Sequence, residues 1–355
     1  MNIVITGGGT GGHLAIARAL GEEFKSLGNK VIYIGSTSGQ DRDWFAQNDL
    51  FEKCYFLDTT GVVNKKGLGL IVSLWKQLIA TLKAKKIFKL HKIHSVVSVG
   101  GFSAGPASIA TIGSKIPLFI HEQNAIKGTL NKYLSKYSKA TFGSFSLIED
   151  GYIKTFYPLR SDFFARARVR KELKCVIFLG GSQGASALND FALLVAKTLL
   201  EKGIRIIHQC GENDFKRVKN IYKTLDILDF IDLFAFDKEL VNKIIEADMC
   251  ISRAGASSVW ELAANGLPTL YVPYPYATGD HQYHNALEFT KEELGKVVRQ
   301  NELSPEVLFE FMSELESLDE NGIIKLKDIS ARLQSKISQG GAMQIAKEVI
   351  ERSNR

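Results

Sequence analysis

The sequence predicts an α/β protein built as two doubly wound parallel-sheet domains. Three observations carry that expectation. Short β-branched runs alternate with longer helical patterns, the signature of a parallel sheet covered on both faces. Each half opens with an apolar run that stops at a glycine loop, Gly7 to Gly12 in the first and Gly180-Gly181-Ser182-Gln183-Gly184 in the second. The 355 residues also exceed what one ordinary core holds.

Taken in order, strands are expected over residues 3–6, 31–35, 96–100, 117–121 and 140–143, with helices over 14–27, 70–90, 106–112 and 128–136. After a seam at Tyr157-Pro158-Leu159-Arg160 the theme repeats. Its strands are expected over 175–179, 204–208, 231–235, 249–252 and 269–272, with a long helical tail from about Gly322. The expected domains are 1–160 and 161–335, with a helix over 336–355 packing back toward the first. Ligands of open α/β sheets sit beyond the carboxyl ends of the strands, which puts the glycine loops of both halves at a shared cleft.

An apolar content of 45% and a charged content of 23% describe an ordinary globular protein. Four scattered cysteines, Cys54, Cys175, Cys210 and Cys250, show neither metal-ligand spacing nor a disulfide framework, which points to a reducing compartment. No signal peptide precedes the first strand, and no run of ~18 apolar residues suggests a membrane span. The charge is uneven: residues 1–160 carry 20 Lys+Arg against 10 Asp+Glu, and no carboxylate falls between Asp58 and Glu122. An anionic partner for the first half follows from that asymmetry.

Gly7, Gly9 and Gly12 fit G-x-G-x-x-G, but the second strand ends without the acid that a dinucleotide ribose needs, and no loop carries a Walker lysine. The loop reads instead as a seat for a phosphate at a helix N-terminus. His13 beside it is a candidate general base, or a residue that simply caps or packs. Asp41-Arg42-Asp43 spells Asp-x-Asp, yet its setting reads as a solvated loop with helix-capping aspartates, and no metal is expected. His121-Glu122-Gln123-Asn124 suits hydroxyl recognition on a sugar, with a capped turn as the alternative. In Ser252 to Glu261 a strand ends, small residues turn, and Glu261 lies on the first turns of a helix. There it either accepts a ribose diol or serves the helix dipole. His281 and His284 stand three apart but lack a third ligand. The helix over 70–90 places Ile71, Leu74, Trp75, Leu78 and Leu82 on one face among lysines, which points to anionic lipid. Nucleic acid is not expected, since no recognition motif accompanies the charge.

Together these stretches resemble the MurG family. Its members are the glycosyltransferases that add N-acetylglucosamine to the undecaprenyl-pyrophosphoryl-N-acetylmuramoyl-peptide intermediate of bacterial cell-wall synthesis. The matching residues are Gly8 to His13, Gly100-Gly101-Phe102-Ser103-Ala104-Gly105-Pro106, His121 to Asn124, Gly180 to Gly184, Arg253 to Glu261, Gln282 to Ala286 and Gly340-Gly341-Ala342. The resemblance implies a GT-B architecture of two Rossmann-like domains facing across a cleft. It also implies inversion at the sugar C1, no cofactor and no essential metal, at the cytoplasmic face of the inner membrane. By the same resemblance UDP-GlcNAc is held by Glu261 at the ribose, Ser182 at the diphosphate, Phe236 at the uracil, Ala256, Ser257 and Ser258 at phosphate and sugar, and Gln282 at a GlcNAc hydroxyl. Thr10, Gly11, Gly12, Asn124 and Arg160 also match donor positions. The acceptor's pyrophosphate falls to Gly9, Gly12, Gly101, Ser103 and Gly105, and His13 is the base. Family members commonly carry a short proline-containing insertion after that histidine; here His13 runs straight into Leu14. Other GT-B enzymes with a different lipid acceptor, a UDP-GlcNAc epimerase, or a non-catalytic nucleotide-sugar-binding scaffold share enough of these features to stand as alternatives.

Overall fold

The computed structural model describes every residue except 48, 62–64, 147–151, 182–183, 238 and 355. The chain divides into two compact units, Met1–Leu159 together with Gln339–Arg355, and Arg160–Ser338. The first unit alternates Asn2–Thr6 (β1), Gly11–Ser26 (α1), Lys30–Ser36 (β2), Asp41–Phe45 (α2), Lys53–Leu57 (β3), Gly67–Leu90 (α3), Ser95–Ser98 (β4), Gly105–Thr111 (α4), Leu118–Glu122 (β5), Thr129–Leu134 (α5), Ser138–Gly143 (β6) and Tyr152–Lys154 (β7). Its strands form one parallel sheet in the order β3-β2-β1-β4-β5-β6-β7. Ile3, Val4 and Ile5 of β1 and Val96 and Val97 of β4 are fully buried because helices cover both faces. α3, α4 and α5 supply one cover, with Ala80, Ala84, Ile87, Ala107, Ala110 and Leu134 packed on Val4, Ile34, Val96 and Ile120.

The second unit follows with Asp162–Ala165 (α6), Cys175–Leu179 (β8), Ser186–Glu201 (α7), Arg205–Gln209 (β9), Phe215–Thr224 (α8), Ile231–Phe234 (β10), Leu240–Glu246 (α9), Met249–Ser252 (β11), Ala256–Ala264 (α10), Thr269–Tyr271 (β12), His281–Thr290 (α11), Gly295–Val297 (β13), Pro305–Glu316 (α12) and Lys325–Ser335 (α13). Its parallel sheet runs β10-β9-β8-β11-β12-β13. The final helix, Gly341–Asn354 (α14), packs on α1 and so belongs to the first unit. Arg170, fully buried, fastens the start of the second unit: its guanidinium donates to the carbonyls of Ile244, Ala247 and Asn265 and to Asn265 Oδ1.

Three strands escape the sequence pattern. β3, β7 and β13 all lie at sheet edges, and the last two are only three residues long, too short to show a period. β4 stops at Ser98, which frees Val99 and Gly100 for the following turn. α1 begins at Gly11, so His13 is its third residue rather than the residue before it. The expected single helical tail is two helices, α13 and α14, interrupted between Ser335 and Gly341.

Candidate active site

In each unit the strand order reverses between the first two central strands, β1/β4 and β8/β11, and a turn of the chain opens at the carboxyl end of each. This reversal is where a doubly wound sheet leaves a crevice. In the first unit the two glycine turns are pressed together. Gly8 N–H donates to Gly100 O at 3.2 Å. A Cβ at Gly7 would stand 2.4 Å from Gly100 O, and one at Gly101 2.2 Å from Gly8 O. Both residues have positive φ, 121° and 78°, so glycine is required on two counts. Gly9 is wedged against the Phe102 ring.

Asp41 clamps this loop from beneath. Its Oδ2 accepts from Gly9 N–H at 2.6 Å and its Oδ1 from Ser36 N–H at 3.0 Å. The Tyr33 hydroxyl lies between Gly7 O, at 2.8 Å, and Asp41 Oδ1, at 3.0 Å. Burial and the Asp41 charge push the Tyr33 phenol far above its usual range, which keeps it a donor. Asp41 is therefore not the solvated capping residue the sequence suggests: it is fully buried, with both oxygens committed to the loop. That commitment argues against Asp41 and Asp43 as a metal pair, and no group of three potential ligands occurs among the described residues.

At the mouth of the loop Thr10 is the N-cap of α1 in extended conformation, but its side chain does not cap the helix. The Thr10 hydroxyl sits 2.9 Å from His13 Nδ1 instead, and the Gln123 amide nitrogen is 2.8 Å from His13 Nε2. Thr10 is exposed, and Gly9, Gly11, Gly12 and His13 keep partial access to solvent. Gly101 is partly accessible as well, whereas Ser103 and Gly105 are buried, Gly105 against Gln77 of α3.

The stretch His121 to Asn124 departs from a sugar-facing set. His121 is fully buried, and desolvation holds its imidazole neutral, with a pKa near 3. Glu122 is buried too, and its carboxylate accepts from Asn124 N–H (3.0 Å), Gly128 N–H (3.0 Å) and Asn131 Nδ2 (2.8 Å). These two residues build the turn after β5. Only Asn124 in this stretch keeps partial access to solvent.

In the second unit Gly180 N–H donates to Gln209 O, and Gly181 and Gly184 take positive φ in the turn that leads into α7. Ser182 falls outside the described residues. β11 ends at Ser252, and Gly255 is the N-cap of α10 and brings no side-chain cap to the helix start at Ala256. Asn285, buried on α11, donates to Ala254 O at 3.1 Å and fixes this turn. Arg253 braces it from the other side by donating to Val272 O, Pro273 O and Gln300 Oε1.

Glu261 is the sixth residue of α10, beyond reach of the helix N-terminus, so the dipole-serving alternative fails. The residue keeps some accessible surface while burial pushes its carboxyl up to about 7; the Arg160 charge opposes that shift and Asp162 adds to it. Arg160 itself grips Asp162 at 2.6 Å. Phe236, 51% exposed just past β10, presents a bare ring. Gln282 Oε1 accepts from Tyr274 N–H at 2.9 Å. Arg299 pairs with Asp280 through two bonds and stacks 3.8 Å from the Tyr283 ring, holding the start of α11. His281 and His284 gain no third ligand among the described residues.

Sequence reasoning missed Asp41 as the clamp of the loop, Gln123 beside His13, and Asn285. Asn285 lay within a matched stretch, so its signal was present. Asp41 was masked by polar neighbours that imitate a surface loop.

Two parallel sheets of this order, each with its turns at the point where the strand order reverses, are the architecture of the GT-B class of glycosyltransferases, which the following likenesses bear out. Residues 3–142 match the glycosyltransferase family 28 N-terminal domain, and residues 175–346 its C-terminal domain. The chain is 53% identical over 351 residues, 99% of both chains, to the UDP-N-acetylglucosamine–N-acetylmuramyl-(pentapeptide) pyrophosphoryl-undecaprenol N-acetylglucosamine transferase of Helicobacter acinonychis. To the protein of the same name from Helicobacter hepaticus it is 54% identical over 345 residues, 97% of both chains. Among solved structures, Acinetobacter baumannii MurG superimposes with a TM-score of 0.78 at 27% identity, over 99% of both chains. The chain belongs to glycosyltransferase family 28, and within it to the MurG family.

Proposed function

We infer that this protein transfers N-acetylglucosamine from UDP-GlcNAc to the lipid-linked N-acetylmuramoyl-pentapeptide of peptidoglycan synthesis. The observation that carries this reading is full-length identity above half to transferases named for that reaction. A different lipid acceptor, an epimerase or a scaffold gains no comparable support.

In this reading Arg160–Ser338 holds the donor. Glu261 accepts the ribose diol, Phe236 faces the uracil, and the open first turn of α10 with the Gly180 loop and Ser182 meets the diphosphate. Ser257, Ser258 and Gln282 reach the sugar, and Arg160 neighbours Glu261. Backbone N–H groups aimed at the leaving diphosphate stabilise the charge that grows there, which is the work a metal does in other transferases. The glycine turns of the first unit, chiefly Gly9, Gly12 and Gly101, receive the acceptor's pyrophosphate, with Thr10, Gly11 and Asn124 contributing to the donor. The acceptor's C4 hydroxyl attacks the anomeric carbon, and UDP leaves from the opposite face, which inverts C1. His13 is the base.

The first unit also meets the membrane from the cytoplasmic side in this reading. Ile71, Leu74, Trp75 (64% exposed), Leu78 and Leu82 (54%) of α3 stand outward, whereas Ser73, Gln77 and Thr81 face the protein. An outward apolar stripe beside Lys83, Lys85, Lys86 and Lys89 suits an anionic lipid surface. No described helix is long and apolar enough to cross a membrane.

Purified protein given UDP-GlcNAc and the undecaprenyl-pyrophosphoryl-linked muramoyl pentapeptide should yield the disaccharide lipid and UDP, with the rate unaffected by excess EDTA. Hydrolysis of UDP-GlcNAc or its conversion to the manno epimer without coupling would overturn the assignment. Loss of rate in EDTA would overturn its metal-free part.

A further inference from the structure

We propose that Gln123 is a positioning residue that fixes the tautomer of His13, and that Nδ1, beside the Thr10 hydroxyl, is the atom that takes the proton. This rests on the reading of His13 as the base. The three residues come from two separate parts of the first unit: Thr10 is the N-cap residue of α1 and His13 lies on its first turn, while Gln123 follows β5. The Gln123 amide nitrogen is 2.8 Å from His13 Nε2, and Thr10 Oγ1 is 2.9 Å from His13 Nδ1. Gln123 is 8% exposed, and its Oε1 is buried without a hydrogen-bond partner.

Two arrangements of protons fit these positions. With the amide N–H toward His13, Nε2 accepts, so Nδ1 carries the hydrogen and donates to Thr10. Neither nitrogen is then placed to take a proton. With the amide turned over, Oε1 accepts from Nε2–H, and the Nδ1 lone pair faces Thr10 Oγ1. One buried amide atom is left unpartnered either way, and no bond of Oε1 opposes the turn. The reaction decides between them. An imidazolium donates from both nitrogens, and an amide N–H facing Nε2–H would be repelled, whereas the carbonyl stabilises it.

The charged surroundings agree with this assignment. His121, close enough for the two rings to interact electrostatically, is held neutral by burial. Glu122 has its carboxylate bound to Asn124, Gly128 and Asn131. In the step itself the acceptor oxygen bonds to the anomeric carbon. The bond from that carbon to the diphosphate oxygen breaks, and its electron pair leaves with UDP. The hydroxyl proton ends on His13 Nδ1, directly or through Thr10 Oγ1.

The test compares wild type, Gln123→Ala, Gln123→Glu and His13→Ala with UDP-GlcNAc and the lipid-linked acceptor, alongside ¹⁵N spectra of the histidine rings. Gln123→Ala should lower kcat at least ~10-fold with KM for UDP-GlcNAc within about twofold. Gln123→Glu should restore much of the rate and move the acidic limb of the kcat profile up by ~1 pH unit, because a carboxylate favours the imidazolium. The spectra should show an Nε2–H tautomer for His13, identified by its loss in His13→Ala, and a mixture in Gln123→Ala. Wild-type kcat and an unmoved acidic limb in Gln123→Ala, or an Nδ1–H tautomer in wild type, would overturn the proposal. Full activity in His13→Ala would instead refute the base reading, with the tautomer contact still judged by the spectra.

Discussion

Glu261 shows how much one side chain carries at this site. Burial favours the neutral form of its carboxyl, whose pKa is pushed up to about 7 in the fold. The sign follows directly. An acid whose folded pKa is raised costs stability as pH climbs from the ordinary carboxyl range toward 7, because the unfolded chain ionises first. A ribose diol donates two hydrogen bonds and so prefers the carboxylate. UDP affinity should therefore rise with pH through about 7 and flatten above it, with roughly tenfold lost between pH 8 and 6. Titration calorimetry over that range checks it. The phosphates of UDP ionise too, but their contribution persists in Glu261→Gln, so the difference between the two curves isolates the carboxyl. Parallel curves would refute the diol role. At this scale the sequence marks Glu261 as a carboxylate on the helix that follows a strand end and a small-residue turn. It could not show Asp41 as a buried clamp, because burial depends on Tyr33 and Ser36 of β2 converging with the glycine loop from a separate segment of the chain.

At the scale of elements, α3 is the instructive case. Its apolar face was legible from spacing, yet spacing alone does not say which face meets the sheet. Here the small and polar residues Ser73, Gln77, Ala80, Thr81 and Ala84 pack inward, which lets α4 lie close; Ile87 and Phe88 join the core near the end of the helix, while Ile71, Leu74, Trp75, Leu78 and Leu82 stay outside. If that face binds lipid, two kinds of change should differ. Replacing Lys83, Lys85, Lys86 and Lys89 by Gln removes about 1 kcal/mol each near an anionic surface, a loss on the order of 10²–10³-fold in vesicle partitioning at low salt that shrinks as salt rises. Replacing Trp75 and Leu78 by Ser should weaken partitioning at every salt concentration. Sedimentation with vesicles of mixed anionic and neutral lipid measures both, and unchanged partitioning in both sets would return α3 to a plain surface helix. The central strands were legible for the opposite reason: both faces are covered, so each holds consecutive buried apolar residues, 3–5 in β1, 96–97 in β4, Cys175–Leu179 in β8 and 249–251 in β11. The short edge strands have neither length nor period to reveal them.

At the scale of the whole molecule, the chain finishes the second unit and then returns to the first through α14. Ala342, Ile345, Ala346 and Val349 are buried there, and α14 packs on α1, the helix whose first turn carries His13. A close turn guides the return: a Cβ at Gly341 would stand 2.2 Å from Phe156 O, so glycine lets the helix start against the end of the first unit. Each unit has its own sheet and core, so each should unfold as its own transition. Ile345→Ala removes a fully buried side chain and should cost 2–5 kcal/mol in a core with little room to collapse. That cost should fall on the transition of Met1–Leu159 with its C-terminal helix and lower its midpoint by about 4–20 °C. Saturating UDP at about 100 times its Kd adds roughly 2.7 kcal/mol to the unit that binds it and should raise only the other transition. Scanning calorimetry on wild type and Ile345→Ala, each with and without UDP, reads both effects in one design. A single transition moved by both perturbations would show that the units fold as one. A nucleotide shift confined to the first unit would remove the donor site from Arg160–Ser338.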